Sequence, residues 1–496
     1  MRGFSILGLE RRDLLIVIVA FLASQALYAL LGVRFDDSTL PGYMQFIAVD
    51  LLMNRLLESL WYYHAHPPLL NVFAAVGLKL FGERADIFFS GCFHLLGLVV
   101  AFCVYALTLR LSNSRIAAGV TTTVLVFSPA FVLYENWLMY TFPSMAMLTL
   151  SALLLHQYVV TSKAGWCMAF FGVLSALLLT RSLFHLLWLV SIVLLLAVVL
   201  WDRRRQVLMA AAVPLLIVVF WYGKNYVLFG TFSSSSLMGL GFSNITTLMV
   251  PRPELRRLID AGELSPYALV SRYQDHRALF AEPEPATGIP VLDEITKAGG
   301  AAYNFNNVRM VRVNQLYAHD GLQVIRHLPG YYVMGLAISN RIFFSPPAMN
   351  WYFTQANLAA ARPMDRIFNP LLYGARPDPQ LLTQPHFGLP SPYTLQVNTG
   401  IPLIVLWWVV IAYAFQQARR GVRSGWPDVD ARAVVLGFFA FTALYLYVVG
   451  TGLELAENFR YRYNIEPLLF AVTAAAVTHL IRAARGRLQT APVSAS

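Results

Sequence analysis

Long apolar runs recur along this chain, at 14–33, 93–109, 145–160, 182–200, 207–228 and 401–415. A helix needs about 20 such residues to cross the hydrocarbon core of a bilayer, where every backbone N–H and C=O must be satisfied within the segment. Repetition on this scale dictates a helical protein that spans a membrane many times. Charge density agrees. Only 13% of the 496 residues are charged, against about a quarter in soluble domains, too few to solvate a body of this size.

The net charge of +11 would suggest nucleic acid in a soluble protein. Here the basic residues gather at the ends of apolar runs, so topology explains them and no nucleic-acid partner is expected. Cys92, Cys103 and Cys167 all lie inside apolar stretches, with neither metal-site spacing nor a disulfide framework. Arg2, Arg11 and Arg12 precede the first run. That run exceeds a signal-peptide core and closes on no small-residue cleavage site, so it reads as a retained first span.

Positive charge in short loops marks the cytoplasmic side. Arg11 and Arg12, Arg110 to Arg115, Lys163, Arg203 to Arg205, Arg419 to Arg423, and the tail with Arg482, Arg485 and Arg487 are therefore expected inside, with both termini. Parity then requires an odd number of crossings between residue 33 and Arg110. The piece 66–81 opens with Pro67-Pro68 and carries Lys79, so it is expected along the membrane surface, while 87–109 crosses.

The expected fold is an all-α polytopic membrane protein of about ten transmembrane helices with extracytoplasmic juxtamembrane helices. The spans fall near 14–33, 87–109, 116–133, 142–160, 165–180, 183–200, 207–228, 398–416, 432–450 and 461–481. This divides the chain into a transmembrane module of about seven spans (1–228) containing a first extracytoplasmic loop (34–86), a large extracytoplasmic region (229–397), and a module of about three spans with a cytoplasmic tail (398–496). Within the large region, 331–344 is apolar but holds Asn340 and Arg341. It reads as a surface or half-buried helix.

Ionisable groups at membrane depth are costly and mark function, and those of this chain cluster on the outer side. Asp36 and Asp37 follow the first span, before an amphipathic stretch, 43–63, that suits an interfacial helix. A carboxylate held there could act as a general base towards a hydroxyl; a solvated loop is the plainer reading. His64-Ala65-His66-Pro67-Pro68-Leu69 has no further ligand spaced for a metal, and its prolines favour a rigid turn that orients His66. Glu135 sits in a turn between Tyr134 and Trp137; Arg181 and His185 sit at the turn between two spans. Lys224 and Asn225 end the seventh span, and Arg460 and Arg462 open the last. Each cation alone reads as a snorkelling helix-end residue. Gathered on one leaflet with acids, they suit a phosphate or pyrophosphate anion.

The order of these features, Phe35-Asp36-Asp37, then His66-Pro67-Pro68-Leu69, the Glu135 turn, and Arg460-Tyr461-Arg462-Tyr463-Asn464-Ile465-Glu466-Pro467, resembles the GT-C superfamily of polytopic glycosyltransferases. Within it, the resemblance is to the protein-O-mannosyltransferase and aminoarabinose-transferase-like families. It covers roughly residues 14–230 and, more loosely, the late spans. It implies a polyprenyl-phosphate sugar donor, an acceptor that is a protein, glycan or lipid, and a site at the outer face of a bacterial inner membrane. Asp36 is the implied base, with Asp37 beside it where relatives carry an acidic pairing such as Asp-Glu. His66, Glu135, Arg181, His185, Lys224, Asn225, Arg460 and Arg462 are expected to bind the substrate or donor phosphate. Some superfamily members use a divalent metal; with no ligand set visible, no metal or other cofactor is expected here. Two other readings use the same lipid pool: a flippase for lipid-linked sugars, and an oligosaccharide polymerase or ligase. The chain shows no internal repeat, as many transporters do.

Overall fold

The computed structural model describes residues 9–270, 276–280, 284–297, 300, 302–348, 352–374, 400–423 and 429–490. Arg2, the expected span start at 398 and the end of the tail lie outside these residues. Among the described residues all regular structure is helical, with two isolated β-bridges.

The first module comprises α1 (Arg11–Leu31), α2 (Val49–Asn54), α3 (Leu56–Trp61), α4 (Leu69–Phe81), α5 (Ala85–Ser112), α6 (Arg115–Phe127), α7 (Pro129–Glu135), α8 (Thr141–Thr161), α9 (Ala164–Leu178), α10 (Leu186–Val199) and α11 (Arg204–Phe229). The middle region folds into α12 (Met238–Ile245), α13 (Arg252–Asp260), α14 (His276–Leu279), α15 (Pro290–Asp293), α16 (Arg309–His327), α17 (Pro329–Phe343) and α18 (Gln355–Phe368). The chain ends in α19 (Ile401–Arg423), α20 (Ala431–Gly452), α21 (Asn458–Tyr463) and α22 (Glu466–Thr490).

Seven helical stretches are long and apolar enough to cross a bilayer, and the bent pair α6 and α7 makes an eighth. Ser128 accepts the Phe131 N–H and Pro129 opens α7. That combination starts a new helix and sets a 59° bend. The other two of the ten expected spans, α9 and α10, have 15 and 14 residues, about 22 Å at 1.5 Å per residue and short of a full hydrocarbon core. They meet at a turn that holds Arg181.

The surface helix expected at 66–81 is instead half of a hairpin. Gly82, at φ 56°, turns α4 back onto α5. Phe81 stacks on Phe88 at 4.7 Å and Phe73 lies 6.2 Å from Phe93, an antiparallel pairing that an uninterrupted helix could not make. The single interfacial helix expected at 43–63 is divided as well, because Arg55 leaves helical geometry between α2 and α3 (φ −133°, ψ 37°).

Helices of the middle region pack on the ends of the spans. Tyr447 of α20 donates to Asn340 of α17 at 2.8 Å, so the apolar helix expected at 331–344 is half-buried with its polar group satisfied. On the opposite face Asp13 accepts from Tyr105 at 2.7 Å and from Arg115 at 3.2 Å. There Arg203 reaches the Val159 carbonyl, while Arg432 and Arg482 reach Asn113.

Candidate active site at the loop face

Asp36 is fixed by its backbone. Its N–H donates to the Asn136 carbonyl and its own carbonyl accepts from Leu138 N–H, both at 2.9 Å. This bridge sets Asp36 beside Trp137, so the loop after α1 is stitched to the turn between α7 and α8. The side chain is 9% exposed, and its Oδ1 accepts the Ser38 N–H at 3.1 Å, which orients the carboxylate. Burial, with the charges of Asp86 and Asp36, holds the Asp37 carboxyl above the usual range.

Trp137 leads to the arginines. The Arg460 guanidinium lies 5.0 Å from the Trp137 ring, 5.6 Å from Tyr140 and 5.7 Å from Tyr352. It donates to Thr141 at 2.9 Å and pairs with Glu457. Tyr140 is shared, since Arg181 sits 4.9 Å from the same ring and 5.3 Å from Tyr461. Arg181 is 3% exposed and donates to the Asn464 carboxamide at 3.0 Å. Among the described residues no carboxylate stands within ion-pair distance of it. Burial, and next the Tyr140 and Arg460 neighbours with opposed signs, leave its pKa lowered. Tyr43 ties the two halves: burial pushes its phenol up to about 12, with Asp36 and Glu457 raising it and Arg460 opposing. Asp36 beside Trp137, Arg460 against Trp137 and Tyr140, and Arg181 against Tyr140 thus form one chain of contacts through aromatic rings, which wall the recess between them.

The His-Pro-Pro-Leu corner borders this recess, because Leu69 N–H donates to the Leu179 carbonyl at 2.9 Å, two residues before Arg181. His66 is half-buried there. His64 is fully buried between the Ser236 hydroxyl (2.6 Å) and the Asn306 carbonyl (3.0 Å), and burial holds it down to about 3. It is a neutral structural link to the middle region.

Several expected phosphate ligands are engaged elsewhere. Lys224 donates to the carbonyls of Trp61 (3.0 Å) and Tyr63 (2.7 Å), and Asn225 donates to Ser233; both pin loops. His185 accepts from Leu187 N–H as the cap of α10. Glu135 points into the bundle, where Gln25 donates to it at 2.7 Å and Gly97 leaves room for its Oε1. Arg462 turns away from Arg460, towards the Ser345 carbonyl (2.9 Å), Glu466 (4.0 Å) and the Tyr373 ring (5.3 Å). Adjacent residues of one helical turn face different neighbours, so the expected cluster separates into Arg181 with Arg460 and a second buried group around Arg462.

Two solved structures of ArnT from Cupriavidus metallidurans are similar to this chain. The one bound to undecaprenyl phosphate matches at 16% identity and a TM-score of 0.35, over 96% of this chain and 81% of that one. The apo form matches at 15% identity and a TM-score of 0.31, over 93% and 77%. No protein-family model and no curated protein matches. A likeness of this extent assigns neither a site nor a reaction.

Tyr140, Trp137, Tyr352, Glu457 and Asn464 complete the recess, and none of them is among the residues expected from the sequence to bind substrate. Tyr and Trp at span ends suit the aromatic belt, and sequence does not distinguish a ring turned inward from one turned to lipid. Tyr352 belongs to the middle region and stacks on Trp137 at 6.0 Å and 13°, bringing that region over the site. Lys297 adds a second strap, its Nζ donating to the Tyr43 carbonyl. Among the described residues no three His, Cys, Asp or Glu side chains converge as a metal site would require.

Proposed function

We propose that this protein is a membrane glycosyltransferase that moves a sugar from a polyprenyl-phosphate donor to an acceptor hydroxyl at the outer face of the inner membrane. The observation that carries the reading is the setting of Arg181. A buried cation normally has an anionic partner, because burying one alone is costly. Arg181 has two tyrosine faces, a carboxamide and another arginine, and the carboxylate that acts on it, Glu457, is paired with Arg460 and not with Arg181. An anion completes that arrangement, and the ordered motifs shared with the GT-C superfamily suggest a lipid-linked phosphate.

The chemistry follows as a single displacement. Asp36 takes the proton of the acceptor hydroxyl as its oxygen bonds to the anomeric carbon. The bond from that carbon to the phosphate oxygen breaks, and the electron pair leaves with the lipid phosphate. Arg181 and Arg460 meet the developing charge, a form of stabilisation worth most in a water-poor recess. Attack opposite the leaving group inverts the anomeric centre. Asp37, with its pKa raised, sits beside the base and keeps no separate role in the step.

The test is the protein reconstituted in liposomes with radiolabelled polyprenyl-phosphate sugar and a bacterial envelope extract as the source of acceptor hydroxyls. Transfer releases free polyprenyl phosphate in step with sugar lost from the lipid. Labelled lipid that crosses the bilayer intact, with no phosphate released, would replace this reading with transport.

A further inference from the structure

On the face opposite the arginine recess, the ends of α5, α8 and α20 line an open cavity of about 390 Å3, within the range of small-ligand sites. Arg110, His156 and Arg432 line it together with Asn113, Val160 and Asp430. None of these belongs to the transfer chemistry.

A basic residue placed only for topology extends into water. Arg110 instead turns to the largely buried His156, donating to its Nδ1 at 3.3 Å. Arginine can only donate, so this bond puts the imidazole proton on Nε2 and leaves the ring a second donor. Arg432 donates to the Asn113 side chain at 2.9 Å, and Arg482 of α22 reaches the Asn113 carbonyl at 3.0 Å. Among the described residues Asp430 is the one carboxylate in the lining, and it caps α20 by accepting the Arg432 N–H at 2.9 Å. Two guanidiniums and the positive end of a 22-residue helix outweigh it. Val160, 61% exposed, places apolar surface at the mouth of this cationic cavity.

We infer that the cavity binds a phosphate group at the membrane surface. Arginine forks suit phosphate oxygens. The phosphate is carried by an anionic lipid whose chains lie along Val160, or it is free in solution. The site is independent of the transferase reading, and its test needs no sugar donor.

The full-length protein is followed by thermal unfolding in nanodiscs of phosphatidylcholine, with and without phosphatidylglycerol or millimolar inorganic phosphate. Phosphatidylglycerol raises the midpoint if the source is lipid; inorganic phosphate does so if it is the free ion. R110Q/R432Q weakens the effective ligand by about 10-fold or more, the loss of charged hydrogen bonds. R419Q/R420Q, which removes exposed charges of the same face, does not. Val160→Trp narrows the mouth and removes the response to lipid alone. Should R110Q/R432Q not be recovered folded, Ala431→Glu serves, because it keeps both arginines, adds a carboxylate to the lining and suits the first turn of a helix. A wild-type response in the folded variant, an equal loss in R419Q/R420Q, or no response of the wild type to either probe overturns the site and leaves the arginines as topological anchors.

Discussion

Arg181 donates to Asn464 and lies against Tyr140 and Tyr461, with no carboxylate at ion-pair distance among the described residues, so its removal should affect the donor more than the fold. For Arg181→Gln the expected result is a donor KM raised about 10- to 100-fold, the cost of a lost charged hydrogen bond. Lys224→Gln should do the reverse: donor KM near wild type and a lower unfolding midpoint, because its Nζ holds the carbonyls of Trp61 and Tyr63. Steady-state kinetics with a thermal melt of each variant check the pair. Asp365 supplies a pH dependence. Buried in α18, its carboxyl is pushed up to about 7 by desolvation, with Arg362 opposing. A raised carboxyl pKa favours the folded state at low pH. That contribution is complete below the ordinary value of 3.8, falls away as pH rises and is gone above about 7. The wild type should therefore lose more stability than Asp365→Asn between pH 5 and pH 8, by order-of-magnitude linkage. Equal losses would show that Asp365 ionises freely in the folded protein.

Helices of the middle region approach one another closely at a few small residues. A Cβ at Gly239 of α12 would land on the Asn314 carbonyl of α16, and backbone does not yield as a side chain does. Gly239→Ala should cost about 1–3 kcal/mol, the usual penalty of overpacking, read as a lowered unfolding midpoint with activity per folded molecule retained. The helices themselves were largely legible, because apolar length is what a bilayer demands, and eight of the ten expected spans find a helix or bent pair long enough to cross, while α9 and α10 fall short. The reversal at Gly82 was not. Run length reveals how much apolar chain there is, whereas the contacts of Phe73 with Phe88, Phe89 and Phe93 decide which way it turns. The same limit explains the site. Asp36, Arg181 and Arg460 stood out as charges at membrane depth. Lys224, Glu135 and Arg462 carried the same signal, and only side-chain direction separates groups that face the recess from those that pin loops or fill the bundle.

Across the whole molecule, acid and arginine gather at one end of the bundle, while Arg110, Arg115, Arg203, Arg432 and Arg482 mark the other. From the charge bias we propose that the latter lie inside. In a background with Cys92, Cys103 and Cys167 replaced, cysteines introduced at Ser38 and Glu83 should react with an impermeant reagent added outside, and those at Ser114 and Lys163 only after permeabilisation. Labelling of Ser38 and Ser114 from one side would break the common face on which the mechanism depends.

The decisive comparison is sugar transfer by Asp36→Asn against wild type, in liposomes at matched protein density, with donor binding measured on the same samples. Loss of the base should lower kcat by about 10²- to 10⁴-fold, the usual worth of general base catalysis, with donor affinity unchanged because Arg181 and Arg460 remain. Transfer at the wild-type rate by a folded Asp36→Asn protein would contradict the assignment of Asp36 as the group that accepts the proton.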